Sequence, residues 1–162
     1  WSPAFRISPL LLQTPGISFS SIYLIVAIAA AQHTGKKTAD LCYLIDVFPT
    51  LCDMLQLPVP QSVDGISLLS SLDGKEPVRD YLYYSYMDNQ RGISDGTWKL
   101  IEYHVNGKRT TQLFNLKNDP WERNDLSGQK KYEKTIQLLR EKMAEEQKRT
   151  NDTSVFWNNF SY

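Results

Sequence analysis

Residues 80–116 read DYLYYSYMDNQRGISDGTWKLIEYHVNGKRTTQLFNL, and the period of this stretch decides the fold of the second half of the chain. Tyr81, Tyr83, Ser85 and Met87 alternate with Leu82, Tyr84 and Tyr86, a two-residue period in aromatic side chains that favours a strand. Ile93 lies in a short segment ahead of Asp95-Gly96, the strongest hairpin signal present. Trp98–Tyr103 is the next predicted strand, Asn106-Gly107 a second hairpin signal, and Thr110–Leu116 a further strand. Strands at such short spacing, joined by tight turns, pair antiparallel.

Working outward toward the C-terminus, Asn118-Asp119-Pro120 breaks the alternation. Beyond Gly128 the period changes: Tyr132, Ile136, Leu139 and Met143 recur on one helical face, and Lys, Glu, Arg and Gln fill the other. A helix this one-sided needs an apolar partner, and the adjacent sheet supplies one. Val155-Phe156-Trp157 and Phe160 follow as an aromatic tail expected to pack back on the body.

Toward the N-terminus, Asp46 stands where a helix cap belongs and Pro49 falls in the first turn, where a missing N–H costs nothing. Val47, Leu51 and Leu55, with Phe48 and Cys52 beside them, predict one apolar helix face, and Pro58 and Pro60 end the helix. Asp64-Gly65 is a turn, Ser67–Leu72 a short helical or irregular stretch, and Asp73-Gly74 its end. Still earlier, Ile22–Ala31 is a run of ten apolar residues, too short to span a membrane as a helix. It reads as a buried strand, as the apolar core of a secretion signal, or as disturbed sequence. Residues 1–21 carry three prolines and show no sustained period, and the first residue is Trp1 rather than Met.

Composition narrows the function classes. Lys plus Arg equal Asp plus Glu at 18 each, so no global field draws in nucleic acid or an anionic membrane. Cys42 and Cys52 have no His or Cys neighbour at metal-ligand spacing and read as small buried hydrophobes, with a disulfide open to an exported protein. His33 and His104 are each isolated. Two segments match the N-glycosylation acceptor pattern, Asn151-Asp152-Thr153 and Asn159-Phe160-Ser161.

Three stretches, in order, carry a resemblance. They are Asp46-Val47-Phe48-Pro49-Thr50-Leu51 with Leu57-Pro58-Val59-Pro60 and Val63-Asp64-Gly65-Ile66-Ser67-Leu68; Gly96-Thr97-Trp98-Lys99-Leu100-Ile101; and Gln112-Leu113-Phe114-Asn115-Leu116 with Asp119-Pro120-Trp121-Glu122 and Asn124-Asp125-Leu126. Together they resemble the C-terminal part of sulfatases, of the alkaline-phosphatase-like superfamily. The resemblance implies a mixed α/β (α+β) fold: the end of an alkaline-phosphatase-like α/β domain, then a small antiparallel sheet of about four strands packed on a long C-terminal helix. The boundaries expected are 1–35 for an irregular or disturbed segment with an apolar strand, 36–76 for the end of the α/β core, and 77–162 for the C-terminal subdomain.

In its complete form such an enzyme hydrolyses sulfate esters of carbohydrates or aryl groups, using a formylglycine nucleophile and a divalent cation, usually calcium. The nucleophile comes from the Cys or Ser of a Cys/Ser-x-Pro/Ala-x-Arg motif. Here Cys42 is followed by Tyr43-Leu44-Ile45-Asp46 and Cys52 by Asp53-Met54-Leu55-Gln56, and no serine fits. No Asp-His/Asn-Gly metal loop is present either, so no catalytic residue, metal ligand or cofactor is expected in this chain. The expectation is an inactive segment that partners a missing N-terminal catalytic portion and, with it, a sulfated small molecule or glycan. Localisation is expected to be secreted or periplasmic. Before the helix at Asp46, Ile28-Ala29-Ala30 stands where the family carries a glycine turn.

Substrate contacts are expected from Asp88-Asn89-Gln90-Arg91, placed between strands, where loops carry function. The candidates are Arg91, whose planar fork suits a sulfate or carboxylate, Asn89, and His104 at a strand end. The tyrosines at 81, 83, 84 and 86 are a candidate sugar-stacking platform. The alternatives are a stand-alone binding or structural module and a segment of a related phosphohydrolase.

Overall fold

The computed structural model describes Gly35 and residues 38–154; Ile22–Ala31, His33, the aromatic tail and the acceptor at Asn159 lie outside the described residues. Strands β1 (Leu82–Tyr86), β2 (Gln90–Ser94), β3 (Trp98–Val105) and β4 (Lys108–Asn115) form one antiparallel meander in chain order. The hairpin signals work as read. Asn106 and Gly107 both take positive φ, 53° and 72°, as a two-residue turn between right-twisted strands requires. At the other turn Asp95 Oδ1 accepts from the backbone N–H groups of Thr97 and Trp98, at 2.8 and 2.7 Å.

Register builds the core. Tyr83 pairs with Ile93, Ile93 with Leu100 and Leu100 with Leu113, so one row of apolar side chains crosses all four strands on one face. Helix α3 (Glu133–Arg149) lies over that row and adds Ile136, Leu139 and Met143; the three helix residues and the four strand residues form one buried cluster. Trp98 and Tyr132 pack beside it with ring centroids 5.2 Å apart. On the same face, the next row is polar: Ser85, Arg91, Glu102 and Thr111 stand opposite one another in register. Glu102, fully buried, accepts from Arg140 Nε at 2.7 Å and from the Thr111 hydroxyl at 2.8 Å. The edge of β4 is covered by the segment after Asp119: Leu126 N–H donates to the Leu113 carbonyl, and Asp125 accepts from the Leu113 N–H.

The first half is built on different contacts. Helix α1 (Val47–Met54) follows a short 3₁₀ turn at Leu44–Asp46, and a single helical turn, α2, spans Leu69–Leu72. Asp46 is not a side-chain cap of α1. Its buried carboxylate instead accepts from the N–H groups of Tyr43 (2.7 Å) and Ile66 (2.9 Å) and receives both arms of Arg79 at 2.6 and 2.7 Å. The Thr50 hydroxyl donates to the Asp46 carbonyl and accepts from the Leu68 N–H, which lays residues 66–68 along α1. Gly65 makes that approach sterically open, because a Cβ there would overlap the Ile45 carbonyl.

The face that α1 turns inward is therefore Pro49, Thr50 and Cys52, and the expected apolar face points out. Val47, Phe48 and Leu51 are 47%, 53% and 36% exposed, and Leu44 is 87% exposed. Among the described residues Cys42 is exposed and only Cys52 is buried, a correction to the pairing of both as core residues; neither forms a disulfide.

Candidate functional site

The three candidate residues converge on one rim of the sheet. The β1–β2 connection is a tight turn over residues 87–89, with Met87 at φ 46°, so Gln90 and Arg91 belong to strand β2 and not to a loop. Asn89 sits exposed on that turn, and its carbonyl accepts from the His104 N–H at 2.8 Å. This bond holds Asn89 beside the half-buried His104, which is one residue from the end of β3.

Arg91 lies behind them with only 2% of its surface exposed. Its Nη1 donates to the carbonyls of Met87 (2.5 Å) and Gln90 (2.7 Å), fixing the turn from beneath. Its Nε and Nη2 engage the Asp152 carboxylate at 2.7 and 3.2 Å. The guanidinium fork is thus directed at protein groups and not at solvent. It positions the turn that carries Asn89.

Asp152 follows helix α3 and closes the arrangement. It also accepts from the Tyr83 hydroxyl at 2.7 Å and from the Ser154 N–H at 3.0 Å, while the Ser154 hydroxyl donates to Asp88 at 2.9 Å. The segment Asp152–Ser154 therefore straps the β1–β2 turn to the end of α3. Burial pushes the Asp152 carboxyl up, but the Tyr83 and Arg91 hydrogen bonds outweigh it and hold the group below the ordinary carboxylate value. The same environment raises the Tyr83 hydroxyl: burial acts first, then its bond to the Asp152 carboxylate. Tyr83 is consequently a neutral donor near neutral pH.

A cleft of 510 Å³ opens between this strap and the first half, with Tyr43, Arg79, Tyr83, Arg149 and Asp152 in its lining. Three of its charged lining residues are paired: Arg79 to Asp46, Arg149 to Glu146 at 2.7 Å, and Asp152 to Arg91. Of the tyrosines at 81, 83, 84 and 86, Tyr83 belongs to the core, Tyr81 packs against it, and Tyr84 and Tyr86 are 37% and 61% exposed. Among the described residues no group of three His, Cys, Asp or Glu side chains is placed to hold a metal ion. No helix of the described residues is long and apolar enough to cross a membrane.

Sequence reading offered Asn89, Arg91 and His104 as substrate contacts, took Asp46 for a helix cap, and gave Arg79 and Asp152 no role. The Arg91–Asp152 pair joins residues 61 apart and the Arg79–Asp46 pair residues 33 apart, and no local pattern marks either.

Comparison with known proteins is consistent in direction. A family model described as N-sulphoglucosamine sulphohydrolase, C-terminal, matches residues 18–149. An N-acetylglucosamine-6-O-sulfatase of Bacteroides thetaiotaomicron is 28% identical over 141 residues, covering 80% of this chain and 25% of the relative. An arylsulfatase of Clostridium perfringens is 28% identical over 116 residues, covering 69% of this chain and 24% of the relative. The solved structure of BT4656 in complex with its substrate D-glucosamine-2-N,6-O-disulfate aligns at TM-score 0.57 and 27% identity, over 69% of this chain and 25% of that one. The chain thus spans about a quarter of the length of these relatives.

Proposed function

The chain belongs to the sulfatase C-terminal family, matched over residues 18–149, and from that premise we propose that it works as the C-terminal part of a sulfuric ester hydrolase acting on sulfated carbohydrates or aryl sulfates. The catalytic partner is the N-terminal portion that the longer relatives carry. The calcium that the resemblance implies finds no ligand set among the described residues, and its place in this reading is that catalytic portion. The reading extends to a secreted or periplasmic setting, where sulfated glycans are met outside the cell.

One observation carries the role of this part: the exposed Asn89 and the adjacent His104 are held on a rim that Arg91 and Asp152 fasten from below. Asn89 offers an amide donor and acceptor, and His104 a ring nitrogen, to hydroxyl or sulfate oxygens of a substrate. A contact on a rim fixed by a buried ion pair costs little ordering on binding. Arg91 acts through the turn as a positioning residue.

The test uses the protein that joins this chain to a catalytic portion. Asn89→Ala and His104→Ala are expected to lower kcat/KM for a sulfated monosaccharide about tenfold each, on the scale of one lost hydrogen bond to a charged group. The melting temperature should stay unchanged. Unaltered kcat/KM in both variants would overturn the rim as a substrate contact. Hydrolysis of a phosphate monoester in preference to the sulfate ester would assign the chain to a phosphohydrolase instead.

A further inference from the structure

We propose that the sheet face turned away from α3 carries a sugar-stacking row, Tyr86–Gln90–Tyr103–Thr110, which takes the ring faces of an oligosaccharide whose sulfated unit sits on the rim. The four residues stand opposite one another in register across all four strands. Side chains alternate between faces along a strand. Tyr83, Arg91, Glu102 and Thr111 turn toward α3 and the strap that follows it, so the four residues of the row point the other way. Tyr86 is 61% exposed, Thr110 is exposed, and Gln90 and Tyr103 are half-buried. Among the described residues no hydrogen bond engages these four side chains, so two phenol hydroxyls, an amide and an alcohol stand open to a ligand.

The occupant follows from chemistry, spacing and continuity. No side chain of the row is charged, which suits the neutral body of a sugar and not its sulfate. A tyrosine ring packs on the C–H face of a pyranose, and the hydroxyl, amide and alcohol groups beside it bond the hydroxyls at the ring's edge. Neighbouring strands lie about 4.8 Å apart, so Tyr86 and Tyr103, two strands apart, are separated by roughly 10 Å and can take two rings of one glycan chain. The row is also continuous with the rim. Tyr86 leads into the turn at 87–89, Gln90 leaves it, and Tyr103 directly precedes His104, whose N–H is bonded to the Asn89 carbonyl. The inference rests on the reading of Asn89 and His104 as substrate contacts: they meet the sulfated unit, and the row takes the sugars that follow it.

The test uses the protein that joins this chain to a catalytic portion. Two probes are compared, a sulfated tetrasaccharide of alternating hexosamine and uronic acid and its terminal sulfated monosaccharide. Tyr86→Leu and Tyr103→Leu keep apolar bulk and remove the ring. Each is expected to lower kcat/KM on the tetrasaccharide about tenfold, the scale of one lost aromatic contact, and to leave the monosaccharide value within about twofold. Tyr86→Phe and Tyr103→Phe should retain most of the tetrasaccharide activity. Unchanged tetrasaccharide kinetics in both Leu variants would overturn the proposal. Equal losses on the two probes would overturn it as well, since they would assign the row to a contact with the catalytic portion. Calorimetric titration with the desulfated tetrasaccharide separates this inference from the sulfatase reading. The row should bind that probe, and Tyr86→Leu should weaken binding about tenfold, whether or not any sulfate ester is cleaved. Absent binding, or binding indifferent to Tyr86→Leu, would overturn the row; Tyr86-dependent binding without ester hydrolysis would support the row and sink only the catalytic reading.

Discussion

Helices α1 and α3 are both amphipathic in sequence, yet they use that pattern in opposite ways. Helix α3 lays Ile136, Leu139 and Met143 onto the apolar row of the sheet and sends most of its charges to solvent, with Arg140 instead pairing with the buried Glu102. Helix α1 turns Thr50 and Cys52 inward, fixes the chain around a buried carboxylate, and leaves Val47, Phe48 and Leu51 outside. The sheet-and-α3 half is closed by hydrophobic burial within itself. The α1 half is held by directed polar bonds and keeps its apolar surface for another contact. An apolar period establishes that a helix has a greasy side; it does not establish that the partner lies in the same packed layer.

The largest expected effect breaks the polar anchor. Arg79→Met leaves the Asp46 carboxylate buried beside two N–H donors but without its counter-charge. A buried pair broken on one side costs about 3–5 kcal/mol. Hydrogen exchange should locate the loss in α1 and residues 64–68, with β2 and β3 retaining their protection. Equal loss of protection across the sheet would show that the two halves are one cooperative unit and erase the contrast.

Leu139→Ala probes the other half. Leu139 is 2% exposed in the core cluster, and removing its side chain there costs about 3 kcal/mol, within the 2–5 range of such truncations. Urea denaturation followed by tryptophan fluorescence, to which the core-packed Trp98 contributes, should report a loss of this size. A change below about 1 kcal/mol would mean that the α3 interface is looser than its burial indicates.

The contrast also separates what was legible in the sequence from what was not. The strands, the two hairpin turns and α3 rest on local signals: alternation, Asp-Gly, Asn-Gly, and an apolar stripe at helical spacing. Each of them stands in the structure within a few residues of its expected place. The tight turn at Met87–Asn89 was missed because no Gly marks it, and that shifted Arg91 from a loop to a strand. The anchors Asp46–Arg79 and Arg91–Asp152 depend on residues brought together by tertiary packing, which single-chain spacing does not encode. The same physics hid the inward face of α1, since its partners are backbone groups of residues 66–68.

The smallest expected effect uses pH to compare the two anchors directly. Burial raises the Asp46 carboxyl, but the bonds from Arg79, Ile66 and Tyr43 outweigh it, and the folded group lies below its ordinary value of 3.8. Asp152 is displaced in the same direction, with Tyr83 and Arg91 as the leading donors. In both cases the unfolded chain binds the proton more readily than the folded one. Each carboxylate therefore contributes stability that is fully present well above pH 3.8 and is lost as pH falls through the folded value. Asp46→Asn should flatten the acid dependence of α1 protection and leave that of the β1–β2 turn in place. Asp152→Asn should do the reverse, loosening the rim at Asn89 in acid-independent fashion while α1 keeps its response. Loss of both responses in either variant would mean that the strap and the anchor titrate together through the cleft that Arg79 and Asp152 line, so that the halves are coupled by charge although they are packed by different forces.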